Sequence, residues 1–102
     1  MKIVIDSNVL FSALIKDSST RKLILKYGGF FLFPSYIFEE MEKHKEQAVE
    51  IVKNIDLDDA IFVACALAYP ESVIWSDDKK LKNQKEVKIL NTGEMIKYFK
   101  EV

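Results

Sequence analysis

Short hydrophobic runs alternate along this chain with segments in which hydrophobic residues recur every three to four positions. The runs end at a polar residue or a proline, as buried strands do, and they cover Lys2–Ile5, Phe30–Phe33, Val73–Trp75 and Val87–Leu90. The longer spacing predicts helices at Asn8–Lys16, Arg21–Tyr27, Ser35–Glu46, Ala48–Val52, Ala60–Ala68 and Thr92–Lys100. Because Ala60–Ala68 is hydrophobic on every side, we expect that helix to be fully buried.

The predicted elements place helices between the first and second strands, between the second and third strands, and after the fourth strand. Continuous hydrophobic strands connected in this way form a parallel sheet that is covered on both faces. We therefore predict one α/β domain over residues 1–102, a three-layer α/β/α sandwich with a four- to five-stranded, mainly parallel sheet. Such sheets bind ligands beyond the carboxyl ends of their strands, so we look for the chemistry there.

Composition narrows the class of protein without identifying a chemistry. With 102 residues, 49% of them hydrophobic and 30% charged, the chain has enough apolar surface for one core. A net charge of −1 argues against a basic surface over the whole molecule, although an acidic metal site can offset a basic rim in that total. The single cysteine, Cys65, fits a reducing compartment, and no run approaches the roughly 20 apolar residues of a membrane span. We expect a cytoplasmic protein with no membrane partner.

Aspartates follow two of the predicted strands. Asp6 comes directly after the first strand, and Asp77 and Asp78 come after the third. Because both positions open onto the carboxyl edge of the predicted sheet, their side chains can share one crevice. Asp is also a favoured N-cap residue, and capping accounts for each of these aspartates taken singly.

Other carboxylates add to this group. Glu40 borders the inward face of the Ser35–Glu46 helix, where a carboxylate is costly unless a salt bridge or a metal ion compensates its charge. Asp56, Asp58 and Asp59 precede the buried helix, where a cap would need only one of them. Clustered carboxylates repel one another, and a hard divalent cation such as Mg²⁺ or Mn²⁺, which prefers oxygen ligands, would relieve that repulsion.

Four short segments carry these acids in order along the chain: Val4–Leu10 (VIDSNVL), Pro34–Met41 (PSYIFEEM), Asp56–Ala64 (DLDDAIFVA) and Trp75–Leu81 (WSDDKKL). Together they resemble the motifs of the PIN-domain nucleases, a family that includes many toxins of prokaryotic toxin–antitoxin pairs. The second segment selects Glu40 and the third selects Asp59. The fourth places Ser76 at the family's threonine position and Asp78 at its last acid. The resemblance covers nearly the whole chain.

The resemblance implies a divalent-metal-dependent ribonuclease that acts as an endonuclease on single-stranded RNA. It implies that Mg²⁺ or Mn²⁺, as one or two ions, is held by the four catalytic acids, Asp6, Glu40, Asp59 and Asp78. It also implies products with a 5′-phosphate and a 3′-hydroxyl, and an antitoxin protein and a second copy of the chain as candidate partners besides RNA. Four further residues would orient the ligands or the phosphate: Ser7, Asn8, Ser76 and Asp77. Each of them is equally suited to a turn or a cap.

Lysines are concentrated just after the fourth segment. Lys79, Lys80 and Lys82 lie beside the predicted acidic pocket and could hold the RNA backbone, which non-specific binding chiefly requires. Lys85 and Lys88 continue the same stretch. A solvated surface loop and helix would explain these lysines equally well.

One departure from the family pattern supports an alternative function. Only 18 residues separate Glu40 from Asp59, where family members usually carry a longer helical insertion that helps shape the substrate groove or a dimer interface. The alternative is a catalytically weak or inactive PIN-like module that binds RNA or a protein partner. Two other phosphate-handling folds fit poorly. A dehalogenase-like fold needs a second Asp where this chain has Asn8, and a receiver domain needs an acidic pair after the first strand.

Overall fold

The computed structural model describes residues 2–6, 9, 15, 19–32 and 38–101. Within these ranges the strands are β1 (Ile3–Ile5), β2 (Phe31–Leu32), β3 (Val73–Trp75) and β4 (Ile89–Leu90). The α-helices are α1 (Ser19–Lys26), α2 (Phe38–Glu42), α3 (Lys45–Val52), α4 (Ala60–Ala68) and α5 (Thr92–Glu101). Short 3₁₀ helices lie at Gly28–Phe30, Leu57–Asp59 and Lys79–Asn83.

The four strands form one sheet in the order β2-β1-β3-β4, and every pair of neighbours is parallel. Ile3 is the register partner of both Phe31 and Val73, so the central strands start level. Connections leave β1 and β3 toward opposite edges of the sheet, which makes the boundary between these strands the topological switch point. The predicted parallel α/β sheet is confirmed, and its carboxyl edge at β1 and β3 is where a ligand crevice is expected.

Alternate strand residues point to opposite faces, and each face has its own hydrophobic cluster. On one face Val4 and Ile74 pack with residues of α2, α3 and α4. On the other face Ile5 and Trp75 pack with residues of α1 and α5. Helices therefore cover both faces of the sheet, as the alternation of strands and helices predicted.

The main differences from the predicted elements lie in the middle of the chain. The single helix expected to run through to Glu46 is divided, because His44 donates its N–H to the carbonyl of Met41, three residues back, and closes a turn at 2.9 Å. The chain then starts again as α3. Helix α4 has the predicted bounds, but the expectation that it is buried on every side is wrong, since Ile61 is 44% exposed.

Several predicted features lie outside the described residues. They include most of the Asn8–Lys16 helix, the start of the Ser35–Glu46 helix, and the supporting residues Ser7 and Asn8. In the part of the chain that the structure describes, no helix is both long and apolar enough to cross a membrane.

Candidate metal centre

Asp6 and Ser76 meet at the switch point of the sheet although they lie 70 positions apart in sequence. Asp6 donates its backbone N–H to the carbonyl of Trp75 at 3.0 Å, which continues the pairing of β1 with β3. The Ser76 hydroxyl, only 1% exposed, donates to Asp6 Oδ2 at 2.6 Å. This short bond to a buried carboxylate holds Asp6 in one orientation at the carboxyl edge.

Asp78 is placed by the same hydroxyl and by its own side chain. Its backbone N–H donates to Ser76 Oγ at 3.1 Å, so Ser76 connects Asp6 with Asp78. Its Oδ1 accepts the N–H of Lys80 at 2.9 Å and thereby caps the Lys79–Asn83 3₁₀ helix. Asp78 therefore does cap a helix, but that bond uses only one of its carboxylate oxygens.

Asp59 is the carboxylate that capping does not explain. It occupies the N-cap position of α4 but makes no side-chain cap bond. The residue is 7% exposed, and its Oδ2 atom has no hydrogen-bond partner among the described residues. Burial, followed by the charges of Asp6 and Asp56, raises the pKa of Asp59 from its ordinary 3.8 to about 6. A buried, unpartnered carboxylate surrounded by acids is costly unless something compensates its charge.

Three carboxylates come together at this point. Asp56, Asp59 and Asp78 each have an oxygen within 4.8 Å of an oxygen of the other two. Asp56 reaches the group because the Leu57–Asp59 turn is a 3₁₀ helix, in which side chains three positions apart nearly eclipse. The sequence pattern grouped Asp56 with Asp58 and Asp59 but did not distinguish it as a ligand, although its spacing of three from Asp59 at a predicted helix start was the available signal.

The donor set fits a divalent cation. Every group in the cluster is a carboxylate oxygen, the donor that Mg²⁺, Mn²⁺ and Ca²⁺ prefer, and the cluster contains no histidine or cysteine. The orphaned Asp59 oxygen lacks the partner that a cation would provide. We conclude that these residues could hold a metal ion.

Glu40 is not a member of this cluster. Its side chain is 57% exposed and pairs with Lys43, three residues later, at 3.3 Å. Helical spacing led us to expect Glu40 at the border of the core. It does not lie there, because α2 ends only two residues later. Glu40 is not in the carboxylate group that the described residues form, and its role as a ligand stays a prediction.

Asp77 supports the site from outside it. Its Oδ1 accepts the backbone N–H of Thr92 at 2.7 Å, and its Oδ2 accepts the Thr92 hydroxyl at 2.8 Å. The indole N–H of Trp75 donates to the same hydroxyl at 3.0 Å. Asp77 thus fastens the end of β3 to the start of α5, and its carboxylate is used there.

We expect Asp77→Ala to lower the free energy of unfolding by about 1–2 kcal/mol, the range for loss of a helix-capping acceptor. The Thr92 N–H and hydroxyl would both lose their acceptor. Urea denaturation of the variant and of Glu71→Ala, a change of the same charge at another exposed carboxylate, measures the effect. Equal stability of the two variants would show that Asp77 does not hold α5.

The predicted RNA-binding lysines differ in their surroundings. Lys79 and Lys80 are exposed beside Asp78. Lys82 instead pairs with Glu94 in the first turn of α5. Glu94 also forms a capping box with Asn91, since each accepts the other's backbone N–H. This cap at Asn91 starts the helix that the sequence predicts at Thr92–Lys100, and the binding of RNA by the three lysines stays a prediction.

A cavity at the opposite edge of the sheet is separate from the acidic cluster. This cavity of about 850 Å³ is lined by Val73 and Ile89, the first residues of β3 and β4. It is therefore at the amino ends of these strands, and none of the clustered carboxylates lines it.

Comparison with known proteins identifies the family. A family model described as a PIN domain matches residues 42–100, more than half of the chain. The matched segment contains Asp56, Asp59 and Asp78, whereas Asp6 and Glu40 precede it. The comparisons with curated proteins and with solved structures found no match.

Proposed function

The chain belongs to the PIN-domain family, and on that premise we propose that it is a divalent-metal-dependent ribonuclease that cleaves single-stranded RNA. PIN domains are in general metal-dependent nucleases. The observation that carries the proposal for this chain is the buried Asp59 carboxylate, whose Oδ2 has no partner within the described structure and which lies beside Asp56 and Asp78.

Each acid has a distinct part in the proposed site. Asp59 and Asp78 would bind Mg²⁺ or Mn²⁺ through their carboxylate oxygens. Asp6, oriented by the Ser76 hydroxyl, places a further buried carboxylate at the same edge, and its charge acts on Asp59. When bound, the cation lowers the pKa of a coordinated water and neutralises charge that develops on the phosphate during hydrolysis.

The surroundings of the cluster suit an RNA chain. Lys79 and Lys80 follow Asp78 directly and are exposed, so they can contact phosphates on either side of the bond to be cleaved. The antitoxin partner and the homodimer that the resemblance implies stay predictions, as do a cytoplasmic location and a toxin role.

A binding module without activity is the second candidate, and one observation favours it. Leu57 is 59% exposed and Ile61 44% exposed, and Val49 on the neighbouring α3 is 38% exposed. Large apolar side chains that share a surface commonly mark protein–protein contacts. In this reading the PIN fold presents helices α3 and α4 to a partner, and the acidic cluster serves no catalysis.

The proposal is tested by incubating the purified protein with a labelled single-stranded RNA, and with DNA of the same sequence, in Mg²⁺, Mn²⁺ or EDTA. We expect RNA cleavage with either metal, products with 5′-phosphate and 3′-hydroxyl ends, and no cleavage in EDTA. Asp78→Asn, which keeps an oxygen to cap the Lys80 N–H, should bind no metal and cut no RNA.

The result can contradict the proposal in two ways. Cleavage that persists in EDTA, or that is equal in Asp78→Asn, would come from a contaminant or from another chemistry. Metal binding by calorimetry without cleavage of any RNA would favour the binding module.

A further inference from the structure

Asp56 lies outside the four acids that the family resemblance selects, yet it is one of the three that the structure brings together. We propose that Asp56 is a direct ligand of the divalent cation, with Asp59 and Asp78, so that the turn before α4 supplies two of the ligands. This inference rests on the proposed metal-dependent function and deepens it by defining the ligand set.

Geometry is the first support. An oxygen of Asp56 lies within 4.8 Å of oxygens of both Asp59 and Asp78, and a cation at their centre could contact all three after small side-chain rotations. The 3₁₀ turn at Leu57–Asp59 fixes this approach, because it places residues 56 and 59 on one side of the chain.

The local role of Asp56 does not account for its charge. Its Oδ1 accepts the N–H of Asp58 at 3.0 Å and caps the short turn. Asparagine and serine cap as well as aspartate, so capping requires an acceptor oxygen and not a carboxylate. A charge placed against two other carboxylates raises the free energy of the folded protein unless a cation is bound.

The second, independent support is the state of Asp59. The residue is 7% exposed, and its Oδ2 is buried with no hydrogen-bond partner in the described ranges. Ion pairs between described residues join Lys43 to Glu40, Lys53 to Glu50 and Lys82 to Glu94. None of these pairs includes a member of the cluster, so none of these lysines supplies the compensating charge.

The contrast with Glu40 sharpens the assignment. Glu40 already has a cationic partner in Lys43, at 3.3 Å, and its side chain is 57% exposed. Forming a metal ligand from Glu40 would require breaking that pair and moving the side chain. Asp56 needs no such change, since its carboxylate is already within the group.

The experiment is a calorimetric titration with Mn²⁺ alone of the wild type, Asp56→Asn, Asp56→Ser, Asp58→Asn and Asp59→Asn. Asp58 is the matched control, because it carries the same charge on the same turn and is exposed like Asp56, but lies outside the cluster. Loss of groups that only support a ligand typically weakens metal binding by about 10- to 100-fold. We therefore expect at least about a tenfold weaker Mn²⁺ affinity for both Asp56 variants and little change for Asp58→Asn.

A second readout is the rise in melting temperature that Mn²⁺ produces, which does not depend on activity. It should shrink in both Asp56 variants and persist in Asp58→Asn. Far-ultraviolet circular dichroism checks that the capped turn and α4 are retained.

The outcomes separate this inference from the proposed function. If Asp56→Asn and Asp56→Ser bind Mn²⁺ like the wild type while Asp59→Asn does not, Asp56 is only a cap and the metal-dependent nuclease stands. If Asp58→Asn weakens binding as much as the Asp56 variants, the effect is one of general charge and the inference fails. If the wild type binds no Mn²⁺, the proposed function and this inference both fail.

Discussion

Asp59→Asn should make the metal-free protein more stable at neutral pH and should also remove the proposed metal-dependent activity. The Asp59 carboxyl is buried among other acids, with a pKa raised to about 6, so it is ionised at neutral pH at a cost to the folded state. Asparagine has nearly the same volume and no charge. Its amide can donate hydrogen bonds to the neighbouring carboxylates of Asp56 and Asp78.

The gain in stability of Asp59→Asn depends on pH, because the Asp59 proton binds with different affinity to the folded and unfolded protein. The folded-state pKa of about 6 exceeds the ordinary 3.8, so the folded protein binds the Asp59 proton more tightly than the unfolded chain does. Below both pKa values Asp59 is protonated in both states and does not lower the free energy of unfolding. The destabilisation by its charge grows as pH rises from 3.8 to about 6 and is then constant. With allowance for solvent screening, we expect Asp59→Asn to gain about 1–2 kcal/mol of unfolding free energy at about pH 7.5 and almost nothing near pH 4.

The measurements are urea denaturation in EDTA at the two pH values, and cleavage of single-stranded RNA with Mg²⁺. Since a metal ion contributes several kcal/mol of transition-state stabilisation, cleavage by Asp59→Asn should fall by about a thousandfold or more. Mg²⁺ should no longer raise its melting temperature. A variant that is less stable than the wild type in EDTA at neutral pH, or that still responds to Mg²⁺, would contradict this account of Asp59.

Ser76→Ala should lower both stability and activity. The Ser76 hydroxyl is 1% exposed, donates to Asp6 at 2.6 Å and accepts the N–H of Asp78 at 3.1 Å. Its removal leaves a buried carboxylate and a backbone N–H without this partner, which we expect to cost about 2–3 kcal/mol of unfolding free energy. Because the same bond orients Asp6, cleavage should also fall by about 10- to 100-fold.

Ser76→Thr is the matched control. Threonine keeps the hydroxyl, and the family resemblance places a threonine at this position. It should preserve cleavage, with a smaller loss of stability from the added methyl group in a buried site. Urea denaturation and RNA cleavage compare the three proteins. Equal loss of activity in the alanine and threonine variants would show that the volume at position 76, and not the hydrogen bond to Asp6, is what matters.

Local patterns were sufficient where short-range forces decide the structure. The start and end of α4 follow from acids that precede nine apolar residues and from Pro70 just after them, and the structure has the same bounds. The capping box of α5 follows from Asn91 and Glu94 three positions apart. The parallel sheet follows from apolar strands separated by helices. From that sheet it follows that Asp6 and Asp78 lie at one edge.

The orientation of charged side chains could not be predicted in the same way. Asp77 and Asp78 are adjacent in sequence and identical in type, yet Asp77 bonds to Thr92 and Asp78 joins the acidic cluster. The choice depends on where the start of α5 lies relative to the end of β3. Likewise, Glu40 faces solvent because the chain turns at His44, and a helical-spacing argument assumes that the helix continues.

The sequence by itself determined most of the described elements, the parallel α/β class, the family and the edge of the sheet where the acids gather, because periodicity, capping and strand-end positions are properties of neighbouring residues. Only the tertiary structure decided which acids approach one another. It placed Asp56 within 4.8 Å of Asp59 and Asp78, and it left Asp59 Oδ2 buried without a partner in the described part of the chain. These features depend on distances and burial between segments far apart in sequence, which the packing of helices on both faces of the sheet sets.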